Sequence, residues 1–360
     1  MNKGGVYIHF PFCTSKCNYC DFYTLTNQEA TINDFINYLC KEIELTAKEN
    51  NLNWKIDTLF IGGGTPSLLS TNQLDKIYKT LNKNFDLSCL NEFTIEANPG
   101  EFSIDKMKQF KSIGINRISL GFQSLDDTIL KLLSRWHLAK DCIESYNNAR
   151  KVGFENINID MLFGVPNQTT SHWEKDLTTI INLDPEHISA YSLIVEEKTP
   201  LYDAVNSKTI IMPHEKTEIE MYSYTMDVLN QDSYLQYEIS SYSKKNKKCN
   251  HNLHYWSRDP YLAFGPSGHG FNNKKRYWNI QNLNEYIKKL NDNKLPIENF
   301  ETLRHENIFN ELILNGLRTS NGLNLTYIQN KFNKRTFELL SSKITDWDNH
   351  LEKNDNNLKL

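Results

Sequence analysis

Three cysteines lie within eight residues near the start of the chain. Cys13, Cys17 and Cys20 are separated by three and then two residues in the segment HFPFCTSKCNYCDFY. A structural zinc site normally closes with four ligands; no second cysteine pair follows, and His9, which could be a fourth ligand, falls in a predicted strand. A redox dithiol would use Cys17 and Cys20 and leave Cys13 unexplained. An iron–sulfur cluster usually takes four cysteines, so three would leave one iron open to an outside ligand.

Polar residues that could form a site with this loop lie where predicted strands end. The glycine-rich segment IGGGTPS, residues 61–67, follows the second predicted strand, and glycine lets a ligand approach the backbone closely. Glu96, Gln123 and Asp160 end later predicted strands. Each alone could be a helix cap or a loop residue. Because barrel sites are built from polar side chains at the carboxyl ends of parallel strands, we expect the series to lie together.

Strand-like and helix-like segments alternate over the first 190 or so residues. The predicted strands are VYIHF, DTLFIG, EFTIEA, INRISLG, INIDMLFG and HISAYSLI, and the predicted helices cover residues 32–49, 71–83, 104–112, 126–133, 139–151 and 170–182. Repeated strand–helix units favour a parallel sheet. The predicted fold class is therefore α/β, with six units in an open or closed barrel. A long helix over 213–230, short helices from residue 282 and a terminal hairpin at EKNDNNLKL are predicted after it.

Composition excludes several functional classes. The chain of 360 residues carries a formal net charge of −4, so no bulk positive field draws it to nucleic acid. We find no apolar stretch of about 18 residues that could span a membrane. Seven cysteines, three clustered and four scattered, do not suit a secreted disulfide framework, and MNKGGVYIHF does not resemble a signal peptide. We therefore expect a cytoplasmic protein.

The cysteine spacing, with Tyr19 before the last cysteine, and the GGGTP segment resemble the radical S-adenosylmethionine (SAM) family. More closely, the chain resembles the branch that contains oxygen-independent coproporphyrinogen III dehydrogenases and heme chaperones. The matching segments are YIHFPFC, GGGTPS, EANPG, GINRISLGFQS, DMLFGVPNQT, HISAYSLIVEEKTPL, YEIS and HNLHYW, which span nearly the whole chain. The resemblance implies a partial (β/α)6 barrel with the cysteines in the loop after the first strand.

The resemblance also implies cofactors. Cys13, Cys17 and Cys20 would hold a [4Fe–4S] cluster, and the amino and carboxylate groups of SAM would bind its fourth iron. The branch's SAM contacts fall on Tyr7, Tyr19, Gly63, Gly64, Thr65, Glu96, Gln123, Arg135, Asp160 and Ile194. Glu96 can accept from an ammonium, Arg135 can pair with a carboxylate, and Asp160 can accept from ribose hydroxyls. Arg135 could instead end a surface helix, and Ile194 could be a core residue.

Two functions of this branch must be separated. The dehydrogenase, an enzyme of porphyrin biosynthesis, has a fourth cysteine two residues after the third, where this chain has Phe22. It also has an N-terminal extension, whereas twelve residues precede Cys13 here. HNLHYW, residues 251–256, fits an HNxxYW motif associated with heme binding in the branch. The resemblance thus predicts a heme chaperone that hands heme to an acceptor protein, free or membrane-associated, with the dehydrogenase as the alternative.

His251 is the predicted heme ligand, because a neutral imidazole is a common axial ligand of heme iron. Tyr255 and Trp256 offer apolar faces on which a porphyrin could lie. His254 and Cys249 are alternative ligands. Without the resemblance, we would interpret the segment as a histidine with satisfied hydrogen bonds in an aromatic surface strand.

We expect three parts along the chain. They are a core barrel over 1–235, a connecting segment with the heme motif over 236–294, and a small, mostly helical C-terminal domain over 295–360. This last part could dock a partner or only pack against the barrel. The chain ends sooner than the branch leads us to expect. The sequence does not decide between a monomer and a homodimer.

Overall fold

Six parallel strands lie side by side, in chain order, at the centre of the molecule. The computed structural model describes residues 3–49, 55–354 and 356–360. The strands are β1 (Lys3–Phe10), β2 (Lys55–Gly63), β3 (Glu92–Ala97), β4 (Arg117–Gln123), β5 (Ile157–Phe163) and β6 (His187–Ser192). Most of their residues are buried, since helices cover one face of the sheet and its other face lines the barrel interior.

At least one helix follows each of these six strands; the sequence predicts the helices after the first five strands but not the short helix after β6. These helices are α1 (Ile32–Glu49), α2 (Thr71–Asn84), α3 (Ile104–Ile113), α4 (Asp127–Leu132), α5 (Ala139–Val152), α6 (Thr170–Leu183) and α7 (Pro200–Asn206). Local signals set several of their ends. The Ser70 and Ser103 hydroxyls accept hydrogen bonds from the first turns of α2 and α3, and Gly114 ends α3 at a φ of 126°.

Shorter strands extend the sheet beyond both ends of this core. β9 (Tyr261–Phe264) pairs in parallel with β1 and continues into β10 (His269–Phe271), β11 (Lys275–Asn279) and β12 (Ile297–Thr302), while β8 (Ser241–Ser243) and β7 (Leu235–Glu238) follow β6. Among the described residues, β12 and β7 form opposite ends of the strand order and do not pair. The barrel is therefore open, which confirms the predicted partial barrel.

Three more helices pack around these edges. They are α8 (Glu215–Gln231), α9 (Asn250–Ser257) and α10 (Leu283–Asn291). α8 confirms the long helix predicted over 213–230. α9 contains the HNLHYW segment, so this segment is a helix and not the surface strand of the alternative interpretation. None of the described helices is long and apolar enough to cross a membrane.

The last part of the chain is mostly helical and has its own apolar cluster. It contains α11 (His305–Arg318), β13 (Leu323–Asn324), α12 (Leu325–Lys331), α13 (Lys334–Asp346), β14 (Glu352–Asn354) and β15 (Asn357–Lys359), with a 3-10 turn at Asp348–His350. Two further 3-10 turns lie in the barrel, at Glu29–Thr31 and Pro66–Leu68. Leu323, Ile328, Leu340 and Leu358 pack together, separately from the barrel core. β14 and β15 confirm the predicted terminal hairpin.

Candidate cofactor-binding site

A cavity of about 440 Å³ opens at the carboxyl ends of the central strands. It brings together all the predicted cluster and SAM residues except Tyr7 and Ile194. The predicted residues that line it are Cys13, Cys17, Tyr19, Cys20, Gly63, Gly64, Thr65, Glu96, Gln123, Arg135 and Asp160. Tyr7 lines an adjoining chamber of about 250 Å³. Ile194 lies outside both cavities and is 68% exposed, so it is neither a lining residue nor a core residue here.

The three clustered thiols lie on the loop that follows β1. Hydrogen bonds between the backbones of Cys13, Leu25 and Pro11 close the base of this loop. The Thr65 hydroxyl donates to the Cys13 sulfur at 3.5 Å, and the Arg135 guanidinium approaches the Cys17 sulfur at 3.4 Å. Burial raises the pKa of Cys13 to about 11, so this thiol is protonated until a metal takes the place of its proton.

The arrangement of these thiols suits a cluster better than a single ion. Within the described ranges, no three side chains of histidine, cysteine, aspartate or glutamate are close enough to share one metal ion. Cys13, Cys17 and Cys20 instead line the wall of one cavity. In an iron–sulfur cluster each thiolate binds a different iron atom, so its ligands need not converge on one point. The site therefore fits the predicted [4Fe–4S] cluster.

The glycine-rich segment packs directly against the cysteine loop. Gly64 and Thr65 donate backbone hydrogen bonds to the carbonyls of Phe10 and Phe12, each at 2.7 Å. A Cβ atom on Gly64 would lie 2.5 Å from the Phe12 carbonyl oxygen, and Gly63 has a φ of 109°. Glycine is therefore needed at both positions. The close approach brings the end of β2 to the edge of the cavity.

Arg135 lies inside the cavity and not at the surface end of a helix. Its guanidinium donates to the Asn98 side-chain oxygen at 2.6 Å and to the Gly121 carbonyl at 2.9 Å. Its buried Nε has no partner among the described residues. A buried N–H group without an acceptor is costly, and a ligand carboxylate is the acceptor that suits a guanidinium best. This orphaned donor fits the carboxylate of SAM.

Asn98 is a site residue that the sequence analysis missed. Its amide donates to the Thr65 hydroxyl and to Glu101, both at 3.0 Å, while its oxygen accepts from Arg135. It therefore holds the glycine-rich segment and the arginine in fixed positions. The signal was present, because Asn98 lies in the EANPG segment directly after β3. Tyr191 and Ser119 also line the cavity without having been predicted.

Two carboxyl groups lie at the base of the cavity. Glu96 accepts a hydrogen bond from the Gly63 backbone at 3.1 Å, and Asp160 accepts from Ser119 and Asn158, both at 2.8 Å. Burial, and then the neighbouring Asp160, raise the pKa of Glu96 to about 8. Burial also raises the pKa of Asp160. Like charges in a buried site disfavour ionisation of both groups. A bound cation would offset this repulsion, so the cavity favours a positively charged ligand group.

The backbone at Gln123 has a conformation that is unusual for a residue with a side chain. Its φ is 67°, and the pairing of β4 with β5 shifts register between Gly121 and Gln123. Such left-handed geometry is uncommon outside glycine and concentrates at functional sites. It ends β4 and places Gln123 in the cavity wall.

The first histidine of the heme motif faces the barrel interior, where it lines the adjoining chamber of about 250 Å³. The His251 side chain is 1% exposed; its Nδ1 lies 2.9 Å from the Thr58 hydroxyl and its Nε2 lies 2.8 Å from the Tyr255 hydroxyl. The ring also stacks on Phe60, with centroids 5.1 Å apart. Both ring nitrogens are thus occupied. Ligation of iron by His251 would require these contacts to break.

The alternative ligands are also held by neighbouring side chains. His254 is buried, with Nε2 at 2.8 Å from Asp57 and Nδ1 at 3.3 Å from Asp259. Burial alone would lower its pKa, but these two carboxylates outweigh burial and raise the pKa to about 9. An imidazolium has no lone pair for iron. The Cys249 thiol is fully buried beside Glu92, and burial raises its pKa to about 12.

Tyr255 and Trp256 instead face a second cavity of about 570 Å³, which we call the aromatic cleft. Its lining residues are Tyr7, His9, Asp21, Phe22, Tyr23, Tyr255, Trp256, Tyr261, Ser267, His269 and Gln281. Phe22, two residues after the last cluster cysteine, lines both this cleft and the cofactor cavity. The two cavities are therefore neighbours.

Comparison with known proteins identifies the family. The radical SAM superfamily matches residues 7–180. The chain is 38% identical to the heme chaperone HemW of Bacillus subtilis over 343 residues, which cover 94% of this chain and 90% of that protein. It is 33% identical to the heme chaperone HemW of Lactococcus lactis, with 96% and 89% covered. These identities extend over both the barrel and the C-terminal part.

A solved structure supports the fold. Coproporphyrinogen III oxidase HemN from Escherichia coli, described as a radical SAM enzyme, superposes with a TM-score of 0.82 and 20% identity, covering 100% of this chain and 86% of that one. Radical SAM proteins carry a [4Fe–4S] cluster and SAM, and these are the cofactors of this chain. The chain belongs to the radical SAM superfamily and, within it, to the HemW family.

Proposed function

We propose that this protein is a heme chaperone, which binds heme and transfers it to an acceptor protein. The observation that carries the proposal is the identity of 38% and 33% with two HemW heme chaperones over nearly the whole chain. The dehydrogenase is expected to have a fourth cysteine two residues after the third. This chain has Phe22 at that position, which supports the chaperone function over the dehydrogenase. We place the protein in the cytoplasm, in keeping with its scattered cysteines.

The cofactor residues of the proposal are those that line the cavity. Cys13, Cys17 and Cys20 hold the [4Fe–4S] cluster. Glu96 accepts from the amino group of SAM, and Arg135 donates to its carboxylate, consistent with the unpartnered Nε. Asp160, held by Ser119 and Asn158, accepts from ribose hydroxyls. The bound cofactors supply one-electron chemistry, and the protein positions them and excludes water.

Heme binding is proposed for the part of the molecule that contains the HNLHYW segment. Tyr255 and Trp256 line the aromatic cleft, where their rings offer apolar surface for a porphyrin. The cleft adjoins the cofactor cavity across Phe22. A cluster and a heme would therefore occupy neighbouring cavities of one chain.

The experiment that tests this function compares heme handling with catalysis in the same preparation. Anaerobically reconstituted protein is titrated with hemin, then mixed with an apo heme protein as acceptor. We expect saturable binding and transfer of the heme absorbance to the acceptor. The same preparation, incubated with reductant, SAM and coproporphyrinogen III, should form no protoporphyrinogen IX. Absence of hemin binding, or repeated turnover to protoporphyrinogen IX, would overturn the chaperone function.

A further inference from the structure

The histidines of the heme motif are turned away from the cleft that its aromatic residues line. His251 and His254 are 1% and 6% exposed, and each ring nitrogen has a partner. Tyr255 and Trp256, from the same helix, line the aromatic cleft. If heme lies against these two rings, its iron needs a ligand from another element.

Two histidines from other elements line the cleft. His9, on β1, is 5% exposed; its Nε2 lies 2.9 Å from the Tyr23 carbonyl and its Nδ1 lies 3.1 Å from the Tyr7 hydroxyl. His269, on β10, is exposed, and no described residue forms a hydrogen bond with its ring. His269 is therefore the one of the two that has a ring nitrogen available to a metal.

The surroundings of His269 favour a ligand imidazole. The ring stacks on Trp278 of the paired strand β11, with centroids 6.0 Å apart and planes inclined by 23°, so its orientation is restrained. Partial burial of the ring, and then the nearby Arg276 guanidinium, lower the pKa of His269. The neutral form, which has the lone pair that iron needs, therefore dominates at neutral pH.

The cleft walls match a flat, mostly apolar ligand with a polar edge. Tyr255 and Tyr261 contact each other edge to face, with centroids 4.7 Å apart. Phe22 is 61% exposed, which leaves a large apolar face uncovered. The Trp256 indole N–H is buried without a partner among the described residues and is available to a polar group of a ligand. The volume of about 570 Å³ is in the range of small-molecule and cofactor sites.

We propose that the aromatic cleft is the heme site of this protein and that His269 is the axial ligand of the heme iron. The proposal rests on the proposed chaperone function and names its binding site. His251 is then a positioning residue, because its Nε2 lies 2.8 Å from the Tyr255 hydroxyl and orients that ring in the cleft. This role accounts for the motif without exposing its buried histidine.

The test is a hemin titration of four forms of the reconstituted full chain, followed by absorbance. The forms are wild type, His269→Ala, His251→Ala and the control His214→Ala, which changes an exposed histidine at the start of α8. We expect His269→Ala to shift the Soret band and to weaken hemin binding by at least roughly 10–100-fold. Loss of a residue that only supports a metal ligand already weakens metal binding by about this factor. Added imidazole should restore the band. His251→Ala should weaken binding without moving the band, and His214→Ala should match wild type.

The outcomes separate this proposal from the function on which it rests. The iron–sulfur absorbance of each variant reports that the barrel is intact. Unchanged band and affinity in His269→Ala would overturn the assignment of the ligand while leaving heme binding in place. A band shift in His251→Ala alone would make His251 the ligand. A wild-type protein that binds no hemin would overturn the chaperone function itself.

Discussion

The Glu96 carboxyl group is protonated at neutral pH in the protein alone, because burial and the charge of Asp160 raise its pKa to about 8. A ligand ammonium beside it would lower this pKa towards the ordinary value of 4.5. Binding at a pH between these two values therefore releases a proton. We expect SAM binding at pH 7 to release up to about one proton, measured by calorimetry in two buffers with different ionisation enthalpies.

Glu96→Gln should abolish this proton release and weaken SAM binding by about 1–3 kcal/mol, the usual cost of leaving a buried group unpaired. Glu144→Gln, on the exposed face of α5, is the matched control and should behave as wild type. Equal proton release from wild type and Glu96→Gln would show that Glu96 does not receive the ammonium.

Loss of any one cluster cysteine should remove the cluster. Cys13→Ala, Cys17→Ala and Cys20→Ala should each lose most of the roughly four iron and four sulfide ions expected per chain, measured by metal analysis after anaerobic reconstitution. Cys89→Ala is the control, because Cys89 lies in the β2–β3 connection and does not line the cofactor cavity. Full iron content in a variant of the clustered cysteines would contradict the ligand assignment.

The sequence predicted most of the residues that line the cofactor cavity but not the direction of the motif histidines. Glu96 and Gln123 lie at the carboxyl ends of β3 and β4, and Asp160 lies within β5, so the strand–helix alternation itself brings them to one side of the sheet. The direction of His251 does not, since it depends on Thr58 and Tyr255, whose contacts exist only in the folded chain. Ile194 fails for a similar reason, because nothing local shows on which side of its loop it lies.

At the scale of the elements, α9 depends on a distant residue for the capping of its N-terminus. Its first two backbone N–H groups donate to the Glu92 carboxylate at 2.7 and 3.1 Å, from a strand almost 160 positions earlier. The N-cap, Cys249, makes no side-chain capping bond. A helix capped by a distant carboxylate has no N-terminal signal in its own sequence, which explains why the segment was open to interpretation as a strand. β9 to β12 were missed because strands of three to six residues carry little periodicity.

The anchoring of α9 through His254 predicts a pH dependence of stability. The folded pKa of His254 is about 9 and its ordinary value is 6.5. Since the folded protein binds this proton more tightly, the contribution is complete below about pH 6.5 and is lost as pH rises through about 9. We expect the free energy of unfolding of wild type to fall across this window more than that of Asp57→Asn, measured by urea unfolding.

Comparison with Asp57→Asn is needed because other buried groups titrate nearby. Burial raises the pKa of Glu42 to about 7 and that of Glu96 to about 8, so their contributions also decline as pH rises. These groups are present in both proteins and cancel in the difference. Parallel pH profiles for wild type and Asp57→Asn would show that the pair between His254 and Asp57 does not titrate in this range.

At the scale of the whole molecule, charged pairs join the C-terminal helices to the barrel. Glu311 on α11 accepts from Arg258, at the end of α9, at 2.8 Å and from Arg276, on β11, at 2.9 Å. Arg318, at the end of α11, pairs with the buried Glu238 at 3.0 Å. α11 therefore contacts both the helix with the heme motif and a strand beside the aromatic cleft.

Glu311→Gln should loosen this attachment, because it leaves two arginines without their shared carboxylate. We expect a loss of about 1–3 kcal/mol in the free energy of unfolding and faster hydrogen exchange in α11 than in the central strands. Glu338→Gln, which removes an exposed pair with Lys334 at 3.7 Å, should cost less than about 0.5 kcal/mol. Equal effects of the two changes would mean that the Glu311 pairs do not hold α11 in place.

Phe22 lines both the cofactor cavity and the aromatic cleft, so one side chain lies between SAM and a heme bound at the proposed site. If SAM shifts this ring and alters hemin affinity by some factor, hemin must alter SAM affinity by the same factor, because the four binding steps form a closed cycle. The sign and size of that factor can be measured by titrating hemin with and without SAM, or by titrating SAM with and without hemin. Removing the ring in Phe22→Ala should bring this factor towards one, so that SAM no longer changes the affinity for hemin.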